Sequence, residues 1–139
     1  MSLELYFYDG YYIPIALSNP LSGRRYPERG EVLALIDTGF DGFLVIPQEI
    51  FGLLDIIPSR EATIIGVCCE VKSEVGPIRL IIDPLNLIVD GECATYRGAR
   101  EIILGIEALS KLKLMLDGCR HKGTADRCMS VPEAVKVFP

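Results

Sequence analysis

The residues best equipped for chemistry are Asp37, Thr38 and Gly39, and they stand where an apolar run stops. Residues 33–47 read Leu33-Ala34-Leu35-Ile36-Asp37-Thr38-Gly39-Phe40-Asp41-Gly42-Phe43-Leu44-Val45-Ile46-Pro47. A hydrophobic strand ending in a carboxylate, a hydroxyl and a glycine exposes one acid on a rigid loop, where it can exchange a proton. The plain alternative is a strand-to-turn junction in which Asp37 and Thr38 hydrogen-bond their own backbone. The chain carries this tripeptide once. A second block, Glu101-Ile102-Ile103-Leu104-Gly105-Ile106-Glu107-Ala108-Leu109, places Gly105 68 residues after Asp37.

Cys119 and Cys128, with His121 between them, form another constellation. Zinc sites use three or four ligands, usually with cysteines two to four residues apart, so no metal is expected here. A disulfide pinning the C-terminal segment and a pair of free thiols are equally good readings. His121 is the only histidine and has no serine or cysteine motif around it, so it reads as a surface residue.

The elements that must position these groups are mostly strands. Asp9-Gly10, between Leu5-Tyr6-Phe7-Tyr8 and Tyr11-Tyr12-Ile13, marks a tight hairpin within Leu3 to Leu17. Asn19 to Gly30 reads as a polar surface loop or long hairpin connection. Val32 to Ile36 is a continuous apolar run, hence a buried strand, and Phe43 to Ile46 is a short one. Pro47 opens a helix over Gln48 to Leu54. Glu61 to Val75 reads as a second hairpin with Gly66 at its tip or a bulge, closed by Gly76-Pro77. Strands are then expected at Ile78–Ile82 and Leu87–Val89, followed by a turn at Asp90-Gly91, and at Cys93–Tyr96 and Glu101–Leu104. Ile106, Leu109 and Leu112 predict a helix over Gly105 to Lys113, and Leu114–Leu116 a last strand ending at Asp117-Gly118. The tail from Cys119 to Pro139 gives no clear pattern.

Composition bounds the rest. The 139 residues suit one domain with a core of its own. The net charge of −5, with basic residues scattered, argues against a nucleic-acid partner. No secretory leader is expected from Met1-Ser2-Leu3-Glu4. Ile78 to Val89 is too broken by Arg79, Asp83, Pro84 and Asn86 to span a membrane, so a cytoplasmic location is the default. Amides are scarce (Asn19, Asn86, Gln48) and five cysteines are present (68, 69, 93, 119, 128), both in keeping with a thermophile. Five incidental thiols and one disulfide remain equal alternatives.

Taken together, the two motif blocks resemble the small, single-lobe aspartic proteases of the retroviral (retropepsin-like) type, above all their bacterial and archaeal members. The resemblance covers about Leu3 to Gly118: an apolar run, Asp-Thr-Gly-Phe, a second apolar run to Pro47, and Ile103-Leu104-Gly105 leading into a helix. It implies a mostly-β, single-lobe barrel with one or two short helices, residues 1–118 as the protease domain and 119–139 as an extension packed on it. It also implies a homodimer, because one chain supplies one carboxylate and the reaction uses two. The implied activity is a peptide-bond hydrolase, with Asp37 of each chain activating a shared water and no cofactor or metal. Thr38 would lock the two loops together, Gly39 would meet the substrate chain, and Phe40 would reshape the cleft or pack in the core. Asp41 matches a substrate-holding position, but the arginine that follows the downstream glycine in retroviral enzymes is replaced by Ile106. Ile65, Gly66 and Val67 would form a flap over the substrate, with fewer glycines than retroviral flaps. Those departures leave two alternatives: a dimeric peptide-binding module with little turnover, or an acidic loop that serves only as a subunit interface.

Overall fold

The computed structural model describes residues 2–128. Twelve strands and two short helices are arranged as one closed sheet and one small three-stranded sheet. The N-terminal hairpin forms as expected, with β2 (Tyr6–Phe7) antiparallel to β3 (Tyr11–Ser18). Asp9 takes the positive φ of the turn. The first half of β3 pairs with β5 (Val32–Ile36) and its second half with β8 (Glu70–Ile82). That double pairing closes the large sheet on itself. The remaining strands are β6 (Leu44–Val45), β7 (Arg60–Ile65), β9 (Leu87–Thr95) and β10 (Ile103–Leu104), while β4 (Arg25–Tyr26) pairs with the end of β3. Ile13, Ile15, Leu17, Ile46, Ile78, Ile82 and Leu104 are fully buried inside the closed sheet. Closure removes most free strand edges, so the core needs no covering helix layer.

Several expectations are corrected. Gly76-Pro77 does not end a strand, because β8 runs through it in register with β9. Pro77 falls where β7 has already ended opposite Val75 and β3 has not yet begun opposite Arg79, so its missing N–H interrupts no ladder on that edge. Gly76 is small for packing: a Cβ there would lie 2.4 Å from Ile56 Cγ2. Asp90-Gly91 is likewise inside β9, and the reversal occurs at Asp83–Asn86, where Asn86 adopts φ +51°. Gly91 seats the ring of Phe43, whose Cδ2 would be 2.6 Å from a Cβ. The run Val32–Ile36 is a strand, but only Ala34 is fully buried and its neighbours are half-buried.

Helix α1 (Gln48–Leu53) follows Pro47 as anticipated, with Pro47 extended just ahead of it. Helix α2 (Ile106–Leu109) is four residues long, shorter than expected, because Leu112 already begins β11 (Leu112–Asp117). The tail contributes β12 (Lys122–Arg127), which the sequence did not announce. It lies between β11 and β1 (Leu3–Glu4), so both ends of the described chain meet in the three-stranded sheet. His121, at the turn before β12, stacks on Phe7 with ring centroids 4.0 Å apart. Cys119 and Cys128 are free and exposed, whereas Cys68 and Cys69 are bonded to each other. Residues 129–139 of the expected extension lie outside the described residues. No helix of the described residues is long and apolar enough to cross a membrane.

Candidate active site

Strand β5 carries its apolar residues up to Asp37 and the ladder then stops. The Asp37 N–H donates to Leu104 O at 3.0 Å, so the acid leaves the sheet at a fixed point. Strand β10 lies between β5 and β6, parallel to the first (Leu104↔Ile36) and antiparallel to the second (Leu104↔Leu44). The two motif blocks, 68 residues apart in sequence, are thereby neighbours in one sheet.

The loop between β5 and β6 is tied at Gly39, Phe40, Gly42 and Phe43. Gly39 N–H donates to Asp37 Oδ1 at 2.8 Å, and Phe40 N–H to Asp37 O at 3.2 Å. On the far side, Gly105 N–H reaches Phe43 O at 3.0 Å, Ile106 N–H reaches Phe40 O at 2.8 Å, and Glu107 N–H reaches Gly42 O at 3.1 Å. Such close passage of backbone over backbone requires the glycine. A Cβ on Gly105 would lie 2.2 Å from Gly42 O and 2.5 Å from Phe40 Cδ2. Main-chain bonds hold the loop backbone, and the Gly39 N–H bond to Oδ1 orients the Asp37 carboxylate on it.

Asp37 is half-buried, while Thr38, Gly39 and Asp41 are exposed beside it. The Phe40 ring folds back on two glycines: its Cζ would be 2.6 Å from a Cβ on Gly42. It packs within the loop and also walls a cavity. Ile106 opens α2 and stands partly exposed, with no cation at that position to face Asp41.

The hairpin of β7 and β8 extends beyond the closed sheet, with residues 66–69 at its tip; Gly66 N–H donates to Cys69 O at 2.8 Å. Period-two alternation gives it two faces. Ala62, Ile64 and Ser73 face inward and, with Phe40, Gly42 and Leu44, line a cavity of about 160 Å³. Glu61, Thr63 and Ile65 lie on the opposite, exposed face. Ile65 is therefore outside the cavity, and Gly66 and Val67 are exposed at the tip. The inner residues Ala62, Ile64 and Ser73 were missed by sequence reasoning, although the alternation over Arg60–Ile65 carries them.

At the cavity wall Arg60 Nη2 pairs with Glu92 Oε1 at 2.9 Å, and Glu107 supplies a second carboxylate. Burial pushes the Cys93 thiol there up to about 12, which keeps it neutral and inert. Small-molecule pockets usually span about 300–1,000 Å³. This one is nearer the size of an engineered cavity of about 150 Å³ that takes up benzene. Its scale is that of one side chain. Among the described residues no group of three or more His, Cys, Asp or Glu could hold a metal ion. A larger open groove, about 670 Å³, lies on the three-stranded sheet beside Leu5, Met115 and Leu116.

An acid at the end of a barrel strand, held by the neighbouring strand β10 and carried on a loop whose Phe40 and Gly42 face a hairpin across a cavity, is the arrangement of a retropepsin-like fold. The chain superposes on a retropepsin-like aspartic protease from Rickettsia conorii with TM-score 0.62 and 14% identity, over 90% of this chain and 89% of that one. It also matches EIAV protease complexed with the inhibitor HBY-793, with TM-score 0.52 and 17% identity, over 71% and 84% of the respective chains. No family model matches the sequence. The chain is 40% identical over 119 residues to an uncharacterized protein of Archaeoglobus fulgidus, covering 84% of this chain and 93% of that one. It belongs to the same family as that archaeal protein.

Proposed function

We propose that this protein is a homodimeric aspartic endopeptidase in which Asp37 of each subunit holds one water between two carboxylates. The observation that carries the reading is the backbone clamp on the Asp37 loop, from Leu104, Gly105, Ile106 and Glu107. Thr38 and Gly39 stand exposed next to Asp37, on the surface against which a second copy would bring its own acid.

Two carboxylates brought together cannot both ionise cheaply, so the pair retains one proton; aspartic proteases are the standard instance. The ionised member takes a proton from the water, which attacks the peptide carbonyl. The protonated member donates to the developing oxyanion, and the roles exchange as the amine leaves. The two apparent ionisations belong to the pair, so cleavage should follow a bell-shaped pH profile. The substrate is an extended peptide held under the hairpin, with one side chain in the cavity beside Phe40. Closing the hairpin excludes bulk water.

Size-exclusion chromatography together with peptide cleavage at acidic pH tests this. Wild type should elute as a dimer and cleave, and Asp37→Asn should remain dimeric and lose cleavage. Cleavage that survives the substitution overturns the mechanism. The second reading, a peptide-binding dimer with little turnover, draws on Ile106, which leaves no cation beside Asp41 at that position. A statine-type inhibitor separates the two, since it mimics the tetrahedral state and binds tightly only to a competent pair.

A further inference from the structure

We propose that Cys68 and Cys69 form a reversible thiol–disulfide modification site that sets the mobility of the hairpin tip. The two residues are adjacent and bonded to each other, with Cα atoms 3.7 Å apart. A bond between neighbours closes the smallest loop a chain can make, so by the chain-entropy route it stabilises the fold least of all disulfides. Its position gives it a different consequence. Both cysteines are exposed in the four-residue connection between β7 and β8, where exchange partners can reach them. Exposed disulfides are the labile, regulatory kind.

The other cysteines do not compete for this role. Cys93 is buried in the sheet, and Cys119 and Cys128 are exposed but unbonded. At the tip, the Gly66 N–H to Cys69 O hydrogen bond is the last tie beyond the Ile65↔Glu70 pair. The ring through Cys68 and Cys69 fixes both side chains and the peptide between them. Opening it returns those torsions to the chain and loosens Cys69 O, the acceptor of that tie.

The chemistry is an exchange with a dithiol/disulfide couple. A thiolate of the dithiol attacks one protein sulfur, the Cys68–Cys69 bond breaks, and a mixed disulfide forms. The second thiol of the reagent then displaces the protein thiol. The protein gains two electrons and two protons, and the reagent leaves as a disulfide. A small disulfide reverses each step. That the switch governs peptide access rests on the protease reading above; the redox site itself does not.

Alkylation of the native protein with iodoacetamide, read by intact mass, is the first measurement. Cys119 and Cys128 should react in both states, so the count should rise from two to four after dithiothreitol and return to two after oxidised glutathione. Peptide mapping should place the added groups on Cys68 and Cys69. Hydrogen exchange is the second: the Gly66 amide, which donates to Cys69 O, should exchange at least about fivefold faster after reduction. C68S/C69S should exchange fast in both conditions. A count that does not change, or one that rises with exchange at the tip unaltered, overturns the proposal. If both respond but neither state cleaves peptides, the redox site stands and the protease reading falls.

Discussion

The Asp37 loop and the β7–β8 hairpin face each other across one cavity, yet they are built on opposite principles. The loop is short, crossed by β10 and held by main-chain bonds on both sides, over side chains as deeply buried as Leu104 and Leu44. The hairpin beyond Glu74 is a two-stranded arm, with Ile65 and Val67 exposed toward its tip. Position is needed for a group that moves protons, because small displacements of a catalytic group are costly. Compliance is needed for a group that admits and releases a long substrate. On the proposed reading, the chain divides the two between a loop clamped by β10 and a two-stranded arm.

The hardest way to break that contrast is to add one methyl group to the rigid side. Gly105→Ala should destabilise the fold by about 3 kcal/mol or more, since the obstacles are main-chain oxygens that cannot step aside. Gly118→Ala is the control, with nothing within 4 Å of its added Cβ, and should be nearly neutral. Chemical denaturation of both variants checks this. Equal midpoints would show that the crossing over Gly105 is not the clamp described.

On the compliant side, substitution should alter recognition before stability. Ala62→Leu places extra carbon in a cavity of about 160 Å³. In an Asp37→Asn background it should weaken peptide binding about tenfold, or about 1.4 kcal/mol, with the melting temperature little changed. Isothermal titration reads it directly. A smaller effect is expected at Ser73, buried in the same arm, whose hydroxyl donates to Ala62 O at 3.0 Å. Ser73→Ala should cost about 0.5–1.5 kcal/mol, visible in denaturation and in faster amide exchange along β7.

The same contrast decides what was legible in the sequence. The rigid region announced itself because a run such as Leu33–Ile36 ending at Asp37, and Ile102–Leu104 ending at Gly105, has few readings other than strands stopping at a loop. The retropepsin-like fold followed from those two blocks. The hairpin was visible as a hairpin, but the residues nominated on it were those at its tip, Ile65, Gly66 and Val67, and not the cavity-lining Ala62 and Ile64. Glycine was the main source of error. Gly76 and Gly91 looked like turn residues, yet each is a gap that receives a side chain, Ile56 in one case and Phe43 in the other. Only the packed partner distinguishes such a glycine from a turn. Strand β12 was missed because Lys122–Arg127 has one fully buried residue, Ala125, and so shows no apolar alternation.

The smallest expected effect lies in the closed sheet below the arm, where Arg79 on β8 meets Asp90 on β9. Arg79 Nε and Nη2 donate to the two carboxylate oxygens at 2.7 and 3.0 Å. Hydrogen bonding to Arg79 holds the Asp90 carboxyl below its ordinary value of 3.8, against a smaller opposing effect of desolvation. Because the folded-state value is lowered, the stabilisation is fully present above the ordinary value and is lost as pH falls through the lowered one. Both side chains are more than a third exposed, so solvent and salt screen most of the pair's attraction. Asp90→Asn should therefore lower the melting temperature slightly at pH 7, and less in high salt. The two proteins should converge as pH falls through that lowered value, once the wild-type carboxyl is itself protonated. A difference that persists undiminished in acid would mean that Asp90 acts through packing against its neighbours on β9.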